Sequence, residues 1–111
     1  MYKKGDVLKI DFGLRIGHEQ SGIRPVMVIS NNIGNKHAPV ITVACFTSSL
    51  TKHNIPTHVP INKSAGLDCD SVLMLEQTLT IDKDRVISYL GRVDYRELRK
   101  VNNAIRIAFD V

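Results

Sequence analysis

The run Val26-Met27-Val28-Ile29 constrains this chain more than any other stretch, because it is apolar at every position. Successive side chains of a strand point to opposite faces, so this one has no face to give to water. It reads as a strand buried on both faces. Between the polar, glycine-bracketed loop Gly17–Gly22 and this run, with only Pro25 separating it from Val26, stands Arg24. A permanent cation at the mouth of a buried strand needs a partner or a purpose. Guanidinium is a planar fork matched to carboxylate or phosphate, and a poor choice for decorating a strand end.

Short apolar runs separated by turn chemistry recur through most of the sequence, as in an antiparallel β domain. Val7–Phe12 alternates, with Leu8, Ile10 and Phe12 on one face and Lys9 and Asp11 on the other. Further strands are predicted at Ile23–Ser30, Val40–Phe46, Thr57–Ile61, Ser71–Leu75 and Val86–Leu90. Asn31–Asn35 reads as a turn cluster tolerant of positive φ. Pro60 has no N–H to give to a ladder, which places the fourth strand at a sheet edge. The period then changes. Asp94 with Glu97 makes an acidic capping box, and Leu98, Val101, Ile105 and Ala108 fall on one helical stripe. Arg96, Arg99, Lys100, Asn103 and Arg106 take the opposite, basic face, which reads first as a solvated one. The expected fold is mainly β with a C-terminal helix: a small barrel or strongly bent antiparallel sheet, closed or covered by that helix.

With 111 residues, a single domain spanning 1–111 is expected, large enough to fold without disulfides or metal. Cys45 sits in an apolar run and reads as core, whereas Cys69 lies between Asp68 and Asp70, acidic neighbours that disfavour a thiolate. No metal-ligand spacing is present. Neither a signal-like apolar segment nor a run of membrane-spanning length occurs, so a soluble cytoplasmic protein is the default. Residues 1–66 hold eight Lys/Arg against three Asp/Glu, giving +5, and residues 67–111 hold seven against eight, giving −1. The positive excess lies in the half that contains Arg24, which fits an anionic partner such as nucleic acid or an acidic protein.

Polar residues gather at predicted strand ends. Arg24 leads the second strand, Thr47-Ser48-Ser49 ends the third, and Glu76-Gln77 follows the fifth. If these strands are neighbours, their ends meet in one patch beneath the Gly17–Gly22 loop. The groups suit metal-free RNA cleavage, in which the substrate supplies its own 2′-hydroxyl nucleophile. The protein then has to align that oxygen, move protons and stabilise charge on the phosphate. Arg24 answers the last need, Thr47 can bond the phosphate, and Gln77 or Glu19 can reach a base edge. Glu19 is the nearest candidate for the general base. The four histidines are scattered over turns and an edge strand; His18, beside Glu19, is the one worth keeping. Plainer readings stand beside these: Arg24 as an ion-pair partner of Glu19 or Asp11, and Ser48 or Ser49 as an N-cap.

Gly5-Asp6-Val7, Glu19-Gln20-x-Gly22-x-Arg24-Pro25-Val26, Thr47-Ser48, Pro56-Thr57-His58-Val59 and Leu75-Glu76-Gln77-x-x-Thr80-Ile81-Asp82-Lys83 together resemble the MazF/PemK toxin family over nearly the whole chain. The resemblance implies an SH3-like barrel or bent sheet of the MazF/PemK/CcdB type, assembled as a homodimer. It implies a ribosome-independent endoribonuclease that cuts single-stranded RNA at short motifs without metal or cofactor. The products would carry a 2′,3′-cyclic phosphate and a 5′-hydroxyl. The catalytic residues would be Arg24 and Thr47. RNA contacts would fall on Glu19, Gln20 and Ser21 in the first loop, and on Ser48, Glu76 and Gln77. An acidic, partly disordered antitoxin would cover the RNA groove. A non-enzymatic poison of DNA gyrase on the same fold is the alternative, since fold alone does not fix function.

Overall fold

A computed structural model of the chain describes residues 1–13, 22–49 and 55–111. Its strands are β1 (Asp6–Asp11), β2 (Ile23–Val28), β3 (Val40–Thr47), β4 (His58–Ile61), β5 (Ser71–Asp82) and β6 (Val86–Arg92). Helix α1 (Asn32–His37) joins β2 to β3, and helix α2 (Tyr95–Phe109) follows β6. Single 3-10 turns at Lys63–Ala65 and Lys83–Arg85 flank β5. All ladders are antiparallel, in the order β4-β5-β3-β2-β1-β6. Among the described residues no ladder joins β4 to β6, so the sheet is open, with Pro60 on an edge strand as its missing N–H requires.

Both faces of the sheet are covered, as the Val26–Ile29 run demands. On one side Val7, Met27, Ala44, Phe46, Leu73 and Leu75 pack with Ala65 and with Val101 and Ala104 of α2. On the other, Leu8, Ile10, Phe12, Val26, Val28, Ile41, Val43 and Cys45 form a second cluster. Strict alternation along β1, β2 and β3 feeds the two clusters in turn. The capping box forms: Asp94 accepts the Glu97 N–H at 2.7 Å, and Glu97 Oε1 accepts the Asp94 N–H at 3.1 Å. Leu98, Ile105 and Ala108 pack half-buried beside Val101. No helix among the described residues is long and apolar enough to cross a membrane.

Two local expectations are corrected. Asn31–Asn35 is not a turn cluster, because Asn31 caps a helix: its Oδ1 accepts the Gly34 N–H at 2.8 Å. The Asn35 side chain is then buried against Ser30, with Nδ2 donating to the Ser30 carbonyl at 3.0 Å. The fifth strand does not end at Leu75 but runs to Asp82. Its pairing with β3 steps from Cys45↔Met74 to Ala44↔Thr78, leaving Leu75, Glu76 and Gln77 as three extra residues in a bulge. An odd insertion exchanges the faces of a strand. Leu73 and Leu75 accordingly join the α2-side cluster, whereas Leu79 and Ile81 join the other.

Candidate functional site

The β2–β3 ladder pairs Val26 with Cys45. That ladder ends at this pair, and Arg24 and Thr47 lie just beyond it at the same end of the two strands. On the other side of β3, Thr47 pairs with Val72 of β5. The central position of β3 between β2 and β5 therefore brings the polar ends of all three strands to one place. Arg24, Thr47, Ser48 and Gln77 line a single open cavity of about 600 Å3, with Pro25, Phe46 and Met74 also in its lining. Gln77 gets there through the bulge.

The remaining wall was not anticipated from the sequence. Leu67, Asp68, Cys69 and Ser71 line the same cavity. The segment is pinned at its base, where Asp70 Oδ1 accepts the Lys63 N–H at 2.8 Å and Ser71 Oγ donates to the Cys69 carbonyl at 3.0 Å. Further back, Gly66 and Gly91 meet backbone to backbone. The signal for this wall was confined to two glycines distant in sequence, and nothing local links either to Arg24.

Glu76 goes elsewhere. The neighbour of Gln77 in the bulge, it does not line the cavity. Glu76 Oε1 accepts from Thr57 Oγ1 at 2.9 Å, and Oε2 lies 2.8 Å from His58 Nε2. Burial by itself would push the Glu76 carboxyl up. Hydrogen bonds from His58, its own backbone amide and Thr57, with the attraction of His58, outweigh it and hold the carboxyl below the ordinary glutamate value. Thr47 Oγ1 accepts the Ser49 N–H at 3.2 Å, and residues 50–54, which Ser48 or Ser49 would cap, lie outside the described residues. His37 closes α1 and His58 lies in β4, and neither lines the cavity. Glu19, Gln20 and Ser21, together with His18 and His53, lie outside the described residues.

The cavity thus combines a guanidinium, three hydroxyls (Thr47, Ser48 and Ser71) and an amide with one carboxylate, Asp68, on the loop wall. A fork donor flanked by hydroxyls fits a tetrahedral anion, and amide and carboxylate groups fit base edges. Among the described residues no group of three or more His, Cys, Asp or Glu side chains is placed to hold a metal ion.

Residues 3–109 match the model of a PemK-like, MazF-like toxin of type II toxin-antitoxin systems. The chain is 46% identical over 109 residues to the endoribonuclease MazF of Staphylococcus saprophyticus, covering 97% of this chain and 91% of that one. It is 43% identical over 107 residues to the endoribonuclease EndoA of Bacillus subtilis, covering 96% and 92%. Among solved structures, a mycobacterial endoribonuclease in complex with its cognate antitoxin superimposes with a TM-score of 0.85 at 26% identity, covering 100% of this chain and 97% of that one. MazF from Deinococcus radiodurans shares the fold, with a TM-score of 0.81 at 21% identity over 99% of this chain and 97% of that one. With a family match across nearly its full length and the fold to go with it, the chain belongs to the PemK/MazF toxins of type II toxin-antitoxin systems.

Proposed function

We propose that the chain is a ribosome-independent endoribonuclease toxin that cleaves single-stranded RNA at a short sequence motif without a metal ion. The observation that carries this reading is the one cavity that Arg24, Thr47, Ser48 and Gln77 line together, just past the end of the β2–β3 ladder. Its curated relatives at 43–46% identity are named endoribonucleases. In the reaction the 2′-oxygen attacks the adjacent phosphorus, the P–O5′ bond breaks, and a 2′,3′-cyclic phosphate and a 5′-hydroxyl result. One proton leaves the 2′-hydroxyl and one reaches the 5′-oxygen. Arg24 stabilises the charge that builds on the non-bridging oxygens. Thr47 and Ser48 hold the scissile phosphate, and Gln77 contacts a base. Glu19 takes the proton from the 2′-hydroxyl, with Gln20 and Ser21 as further RNA contacts.

The active form is a homodimer in the cytoplasm, and a cognate acidic antitoxin neutralises it. A solved relative in complex with its antitoxin supports that partner. The test is to incubate the pure protein with a long RNA in excess EDTA and map 5′-hydroxyl ends. Cuts recurring at one short motif are expected, and Arg24→Ala should abolish them while circular dichroism and dimer mass stay unchanged. Inhibition of DNA gyrase with no RNA cut would sink the reading in favour of a gyrase poison. Loss of cleavage in EDTA alone would overturn the metal-free mechanism.

A further inference from the structure

Outside the Arg24 cavity, the strongest concentration of charge lies along α2. Arg96, Arg99, Lys100 and Asn103 recur at helical spacing and form one bank of a groove of about 680 Å3. Pro56, His58 and Pro60 form the other bank. Arg96, Arg99 and Lys100 are exposed, and among the described residues none of them lies within ion-pair distance of a carboxylate. Three like charges on two turns of one helix repel one another, an arrangement that an anion would relieve.

The groove is not isolated. A smaller hollow of about 410 Å3 shares Pro60 and Lys100 with it, and shares Ser71 with the Arg24 cavity. The hollow therefore lies between the two, bordered by Ser71 on the side of the Arg24 cavity and by Pro60 and Lys100 on the side of α2. Two carboxylates line the hollow, Asp70 and Glu97. Both are engaged by backbone amides: Asp70 by Lys63, Glu97 by Asp94 and Asn62.

The open edge of β4 helps to choose the occupant. Because the Leu75 N–H bonds the Thr57 carbonyl at 2.9 Å, Val59 and Ile61 face β5 while His58 and Pro60 face outward. Pro60 has no N–H, and that of His58 already bonds the Ile55 carbonyl at 2.9 Å. An extended peptide that binds by adding a strand would find no free donor there. A sugar-phosphate backbone needs none, since it is held by cations.

Resting on the nuclease reading above, we propose that this groove binds the backbone of the RNA flanking the cleaved motif, extending the substrate site from the Arg24 cavity onto α2. The test uses RNA with a 2′-deoxy sugar at the cleavage position, so that affinity is read independently of cutting. A short oligonucleotide spanning only the motif is compared with one extended on both sides, on the wild-type protein and on the Arg96→Gln/Arg99→Gln/Lys100→Gln variant. Glutamine keeps helix propensity close to that of the residues replaced. The extended RNA should bind the wild type about tenfold more tightly than the short one, and the triple variant should lose that advantage together with about 2 of the slope of log affinity against log salt. Short-RNA affinity should be unchanged. Equal affinity of the variant and wild type for the extended RNA would overturn the proposal. So would a variant that keeps RNA affinity but loses binding of polyglutamate, which would assign the groove to an acidic protein. A wild type that shows the extended-RNA advantage but cuts no unmodified RNA would overturn the nuclease reading while upholding the groove.

Discussion

Gly66 and Gly91 touch through their backbones: a Cβ built on Gly91 would lie 2.2 Å from the Ala65 carbonyl oxygen, and one on Gly66 2.2 Å from that of Leu90. Gly66 also sits at φ +108°, where a side chain is strained in any case. This contact seats the 3-10 turn against β6 and fixes where Leu67, Asp68 and Cys69 reach the cavity. Gly91→Ala is the cleaner probe, since its backbone has no positive φ. It should cost about 1–3 kcal/mol in urea unfolding, the usual range for overpacking. It should also raise KM for RNA, because the cavity wall must move. A stability loss with unaltered KM would show that the wall is held by other contacts.

The fold was largely legible because its governing signals are local. Alternation in Val7–Phe12, the proline in His58–Ile61 and the Asp94/Glu97 pair each state their structural role within a few residues. That Arg24 and Thr47 line one cavity was legible too, since both lie near the same end of neighbouring antiparallel strands. The bulge at Leu75–Gln77 was not. Its residues look like the end of a strand, and only the jump from Cys45↔Met74 to Ala44↔Thr78 shows that the strand continues. The same jump explains why Glu76 and Gln77, read together as one polar patch, are divided between two sites. The loop wall at Asp68 and Cys69 was hidden for a different reason, as it depends on a glycine contact across 25 residues of chain.

Glu76 should make a small, pH-dependent contribution to stability. Its carboxyl is held below the ordinary value, so the folded protein favours the ionised form. The contribution is therefore complete above the unfolded carboxyl's range and is lost as pH falls through the lower folded value. The group is largely exposed, and screening limits the effect to about 0.5 kcal/mol. Glu76→Gln should accordingly be less stable than wild type near neutral pH and indistinguishable from it in strong acid. Thermal unfolding across pH measures the difference. A gap that persists unchanged into acid would trace the loss to packing rather than to charge.

Glu97 does more than cap. Oε1 accepts the Asp94 N–H at 3.1 Å, while Oε2 accepts the Asn62 N–H at 2.7 Å and so ties the start of α2 to the chain entering the 3-10 turn. Removing the Asp94 side chain alone should cost about 1 kcal/mol, the ordinary value of an N-cap. Glu97→Ala breaks both bonds and should cost more than Asp94→Ala. Chemical denaturation of the two variants and their double mutant gives the ranking. Equal losses would mean that the tie to Asn62 contributes nothing.

Arg24→Lys separates charge from geometry at the candidate catalytic position. Lysine keeps the cation at the mouth of β2 but replaces a planar fork with a point charge. If Arg24 served only to attract RNA, or to balance a neighbouring carboxylate, the exchange would be mild. A group that stabilises charge developing on two phosphate oxygens has to meet them in a fixed arrangement, and losing one such donor typically costs about 10²–10³ in kcat. The expected result is therefore a fall in kcat of that order with KM nearly unchanged, since ground-state attraction survives in the lysine. Single-turnover cleavage of a motif-containing RNA, run at saturating protein, isolates the chemical step from binding. A near wild-type rate under those conditions would remove Arg24 from the reaction and leave it a role in folding or in attracting the substrate.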